Sequence, residues 1–74
     1  MEKILKLLEE MIMAQQATLL EVGRCFVPRL TSEDALQPND YPELEYNPHF
    51  RYEEGILTGM QSVRNALQAL SKEQ

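Results

Sequence analysis

The sequence predicts an all-α chain: a two-helix hairpin with a long proline-rich acidic linker, self-associating into a four-helix bundle. Three observations carry that expectation. Residues 2–26 contain no proline and repeat their apolar side chains at helical spacing. Residues 48–72 return to the same kind of pattern, and the intervening 21 residues hold three of the four prolines, Pro28, Pro38 and Pro42. Finally, the chain of 74 residues has one cysteine and one histidine, so its stability must come from packing.

The first helix is expected over about residues 2–26. Leu5, Ile12, Leu19 and Phe26 recur every seven residues, as do Ile4, Met11, Thr18 and Cys25, with Leu8, Gln15 and Val22 as a third row. Together the rows span an arc roughly 160° wide, more than one neighbouring helix covers and suited to a bundle. Lys3, Lys6, Glu9, Glu10, Glu21 and Arg24 occupy the opposite face. Gln15 falls among apolar residues; its amide must find partners there, as a device fixing register or at a partly wet edge between helices.

The linker, residues 27–47, is too long for an ordinary helix–helix connection and too poor in Gly and Ser for a flexible tether. Thr31 can cap a short turn near residues 32–37, with Asp34 at the reciprocal position. Pro38 ends it, Asn39-Asp40 marks a turn, and Tyr41 to Tyr46 are expected to run extended because a proline biases its predecessor that way. The linker's length would let the helices run parallel, but an antiparallel pair with the excess chain folded against it is preferred. Acidic residues outnumber Arg29 here, and the aromatics cluster between residues 26 and 52. Two roles fit. Asp40, Tyr41, Glu43, Leu44, Glu45, Tyr46 and Phe50 make a surface for a basic protein partner. Alternatively Tyr41, Leu44, Tyr46 and Phe50 cap the open end of the helix pair.

The second long helix, about residues 48–72, opens with Asn47 as cap and Pro48 at the first helical position. Ile56, Met60, Val63, Leu67 and Leu70 form a seam, beside a row of small residues: Gly55, Gly59, Ser62, Ala66 and Ala69. Interior glycines cost about 1 kcal/mol each relative to alanine, so either the small row admits close approach of another helix or Gly55 and Gly59 mark a late, frayed helix start. Arg64 is the one charge in residues 55–71, which predicts cover on more than one side. The oligomer interface is therefore expected at Gln15, Gly55, Gly59, Met60, Val63, Ala66, Leu67 and Leu70.

Composition excludes several function classes. A chain this short buries only about 60% of its unfolded surface and usually needs a disulfide, a metal or a partner. Cys25 alone forms no internal disulfide, and with His49 it cannot complete a zinc site, leaving oligomerisation. The net charge of −5 disfavours nucleic acid and anionic lipid, so neither is expected as a partner. No apolar run approaches the ~20 residues of a membrane span, and Glu2, Lys3 and Lys6 break up a signal-peptide core. A cytoplasmic location is expected.

No catalytic constellation emerges. His49 and Glu53 share a helix face but lack a nucleophile, Glu9-Glu10 and Glu53-Glu54 lack the Glu-x-x-His partners of a di-metal site, and no phosphate-binding glycine loop exists. Cys25 is expected as a buried small hydrophobe. No cofactor is expected. The predicted function is a non-enzymatic protein–protein interaction module, a small homodimeric adaptor or regulator. The alternative is a chaperone-like or regulatory subunit that captures a partner helix on its wide apolar face.

Overall fold

The computed structural model describes residues 1–73, which are mostly helical and contain no strand. Helix α1 spans Glu2–Phe26, α2 Ser32–Ala35, α3 Pro42–Glu45 and α4 Pro48–Glu73, with a 3-10 turn at Pro38–Asp40 between α2 and α3. The long helices lie side by side in a body 44 × 18 × 17 Å. They run in opposite directions: the Gln15 side chain reaches Glu53 while Glu9 meets Arg64 at 3.5 Å.

Where α1 ends, its sequence changes character. Val27 donates to the Gly23 carbonyl at 2.8 Å, Leu30 donates to Val27 at 3.0 Å, and the chain folds back along the helix. Gly23 makes this possible. A Cβ there would collide with Leu30 Cδ2 and approach Phe50 Cε1 to 3.1 Å, so the missing side chain is the space those two residues occupy. The Arg24 guanidinium secures the reversal by donating to the Leu30 carbonyl at 2.9 Å.

Each short linker element has a local cause. Thr31 and Asp34 form a reciprocal capping box, Thr31 N–H donating to Asp34 at 3.1 Å and Asp34 N–H to the Thr31 hydroxyl at 3.2 Å. Pro38 opens the 3-10 turn, being buried itself. Beyond it the structure departs from the extended run expected for Tyr41–Tyr46. Only Tyr41 is extended, at φ −125°, and Pro42 begins α3. A proline bends its predecessor out of helical geometry but suits the first helical position itself, and here the second effect prevails. Asn47 then caps α4, its side-chain oxygen accepting from His49 and Phe50 N–H groups at 3.0 Å each.

The core draws on all parts of the chain: Leu8, Ile12 and Leu19 from α1, Leu30, Ala35 and Leu44 from the linker, and Phe50 and Leu57 from α4. Arg51 pins the linker to α4, donating to the Glu45 carbonyl at 2.8 Å and to Asn39 at 3.1 Å while pairing with Glu54 at 2.7 Å.

Two expectations require correction. The face that α4 turns to the core runs through Phe50, Leu57 and Arg64, with Leu57 rather than Ile56 buried, so the seam is rotated from the expected one. Consequently the small row Gly55, Gly59, Ser62, Ala66 and Ala69 is exposed, with nothing within 4 Å of where a Cβ on Gly55 or Gly59 would stand. Within one chain the close approach of two segments occurs at Gly23, and the small row has no neighbour there. Within one chain, helix α4 is covered along one side. Cys25 is also exposed, its thiol 3.5 Å from the Glu21 carbonyl, because the core of α1 lies on the Leu8–Ile12–Leu19 line.

Candidate interaction surface

The residues expected at a partner-binding linker separate into two groups. Leu44 and Phe50 are completely buried and hold the linker onto the helix pair. Asp40, Glu43 and Tyr46 are exposed, with Tyr46 the most open at 82%, while Tyr41 and Glu45 are half-buried. Tyr41 belongs to the linker's internal electrostatics. Partial burial, followed by the nearby Asp34 carboxylate, raises its phenol above the ordinary 10.0. The Thr31 backbone N–H and then the Thr31 side chain hold the Asp34 carboxyl below its ordinary 3.8, despite a small opposing effect of burial.

The expected oligomer residues also divide. Gly55, Gly59, Val63, Ala66 and Leu70 are exposed; Met60 and Leu67 are half-buried against the core. Gln15 works within the chain, its amide donating to the Glu53 carbonyl at 3.0 Å and to the Glu53 carboxylate at 3.1 Å. Its polar side chain at a core-facing position thereby sets how α1 and α4 align.

A larger surface emerges once the core direction is known. Successive residues of a helix are turned by about 100°, so Ile4, Leu7, Met11, Ala14 and Thr18 lie about a quarter turn from the buried line of α1. Tyr52, Ile56, Val63 and Leu70 lie about as far round from the buried line of α4, with Gly59 and Ala66 at the outer edge. Because the helices run in opposite directions, rotations of the same sense bring both rows to one side of the pair. The linker occupies the other side, where Gln16, Ala17 and Leu20 meet Ser32, Ala35 and Leu36 around a groove of about 360 Å³.

The uncovered side is apolar along most of its length. Ile4, Leu7, Met11, Val63 and Leu70 are 44–59% exposed. No Asp, Glu, Lys or Arg of either long helix falls within this side; Lys3, Glu10 and Glu21 border it at the solvent edge of α1. The row Ile4–Met11–Thr18–Cys25 is visible in the sequence as one edge of the wide arc. Leu7 and Tyr52 escape notice, because recognising them requires knowing which edge the linker covers.

Among the described residues, no three His, Cys, Asp or Glu side chains converge as a metal site would require, and no helix is long and apolar enough to cross a membrane. Comparison with family models, curated proteins and solved structures finds no match to the chain.

Proposed function

We propose that the chain is a non-enzymatic protein–protein interaction module that acts as a homodimer, the long helices of two hairpins forming a four-helix bundle. The observation that carries this reading is the uncovered, charge-free apolar side shared by α1 and α4. Fully burying a Leu, Ile, Val or Met side chain contributes about 1.5–3 kcal/mol, so covering that side is strongly favoured. A chain of this size has little stability to spare without it. The exposed free thiol of Cys25 suits a reducing compartment, in keeping with action in the cytoplasm. In the linker Tyr46, Asp40 and Glu43 are each exposed, a second surface suited to a basic partner.

Sedimentation equilibrium tests the reading. The expected mass is twice the chain's 8.6 kDa at micromolar concentration, with helical circular dichroism. A folded monomer throughout that range would refute it. A second reading, capture of a partner's side chain or helix, is favoured by the groove between α1 and α2, where Leu36 is 65% exposed at the rim. In that case the protein alone would be monomeric, and Leu36→Asp would abolish the capture while leaving the mass unchanged.

A further inference from the structure

We infer that the occupant of the charge-free side is a second copy of this chain, docked about a two-fold axis parallel to the long helices, so that α1 of each copy seats on α4 of the other. The inference rests on the homodimer reading above and adds which surfaces meet.

Size, charge and shape each bear on the occupant. The apolar row extends about 21 Å on α1 and about 27 Å on α4 at 1.5 Å per residue. Across the 18 Å width of the molecule this makes a flat area of about 400–500 Å² per copy, or about 800–1,000 Å² for a pair, which approaches the threshold of a specific interface before surface relief is counted. A basic or acidic partner would find no counter-charge on this side. A second copy of a chain with net charge −5 is best docked away from the acidic linker, and docking through this side does so: Asp40, Glu43 and Glu45 lie in the linker, which Arg51 holds to the other flank of α4, and only Glu10 and Glu21 stand at the border.

Shape selects the axis. The α1 row is large at Ile4, Leu7 and Met11 and small at Ala14 and Thr18, whereas the α4 row is small at Ala66 and Gly59 and large at Ile56 and Tyr52; no heavy atom lies within 4 Å of a Cβ on Gly59. The Gln15–Glu53 and Glu9–Arg64 contacts set Leu7 roughly level with Val63 and Met11 roughly level with Gly59. A two-fold axis parallel to the helices keeps these levels and exchanges left for right, placing Leu7 over the second copy's Val63 position and Met11 over its Gly59 position. Bulk then enters the small positions, as side chains fill holes in a helical bundle. An axis across the helices would instead oppose α1 to α1 and α4 to α4, and the level-by-level match of the large residues of one helix with the small residues of the other would be lost.

The test mixes two variants of the full chain, Leu7→Lys and Val63→Glu, each altering an exposed side chain. Alone, each is expected to remain helical by circular dichroism and sediment as a monomer, since a charge is driven into an apolar contact. Mixed in equal amounts they are expected to form a heterodimer, because the ammonium introduced on α1 of one copy meets the carboxylate introduced on α4 of the other. If either variant loses its helicity, Met11→Lys and Gly59→Glu report the same geometry one level along. Single variants that still dimerise as the wild type does would overturn the choice of face. Folded monomers that stay monomeric on mixing would overturn the axis. A wild type that is itself monomeric would remove the homodimer reading, so the failures are distinguishable.

Discussion

Gly23 shows how one missing side chain decides where a chain turns. Leu30 is 1% exposed and Phe50 fully buried, so neither can move aside for a Cβ. Gly23→Ala is therefore expected to destabilise by about 1–3 kcal/mol through overpacking, even though alanine is the better helix former by about 1 kcal/mol. Gly55→Ala is expected to do the reverse, raising the melting temperature, because open space surrounds that position. Thermal unfolding of the two variants side by side checks both directions. The contrast is invisible in sequence: Gly23 resembles a helix about to end, while Gly55 and Gly59 resemble a packing groove. What distinguishes them is which segment returns to each, and that depends on the linker's path. The capping box gives a pH dependence of definite sign. Asp34 titrates below 3.8 when folded, so between that pH and its ordinary value the unfolded chain binds more protons and stability rises with pH. Its contribution is complete above the ordinary value and is lost as pH falls through the folded one. Asp34→Asn should thus show a smaller loss of melting temperature than the wild type on acidification below about pH 4, the ordinary aspartate range. Tyr41 behaves oppositely: raised above 10.0, it stabilises fully below that pH, and the contribution is lost as pH rises through its folded value.

At the scale of elements, the linker is part of the core. Leu30, Ala35 and Leu44 are buried with the apolar line of α1, and Arg51 ties the carbonyl of Glu45 and the amide of Asn39 to α4. Leu44→Ala is expected to cost about 2–5 kcal/mol, a large share of what so small a domain has. Replacing residues 29–46 by a short Gly/Ser turn should therefore lower the denaturation midpoint sharply; an unchanged midpoint would show that the linker merely connects. Much of this architecture is legible in the sequence because its signals are local. Asn47-Pro48 starts α4, Thr31 and Asp34 make their box, and heptad rows mark α1, all within a few residues of chain. The rotation of α4 is not legible in the same way. Ile56 and Leu57 are adjacent and about 100° apart, so either could lead the buried seam. Burial of Phe50 and Leu57 goes with the rotation that turns Val63 out, and Arg64 on the same line meets Glu9 across the helix pair. A charge reads in sequence as a mark of solvent, and here it lies on the contacting side, paired and part-exposed. The same ambiguity hides the uncovered apolar side, whose α1 row is apparent in outline but whose α4 row depends on that rotation.

At the scale of the whole molecule, charge and apolar surface are segregated. The acidic linker covers one side of the helix pair, and the opposite side presents side chains without charge. This segregation predicts how association responds to salt. Each copy carries −5, so a dimer gathers −10 into a small volume, and the two copies repel before they touch. Exposed charges more than a Debye length apart are screened, that length being about 10 Å at 0.1 M salt and about 30 Å at 0.01 M. If the copies meet through the charge-free side, there are no interfacial ion pairs for salt to weaken. Added sodium chloride should then reduce repulsion alone, and the dimerisation constant should strengthen between 0.01 M and 0.1 M. An interface built on the acidic linker and the few basic side chains would respond in the opposite sense, loosening as its pairs are screened. Sedimentation equilibrium at the two salt concentrations distinguishes the cases by sign, which is robust to the size of the effect. Weaker association at the higher salt would place the contact among the charges and refute docking through the apolar side.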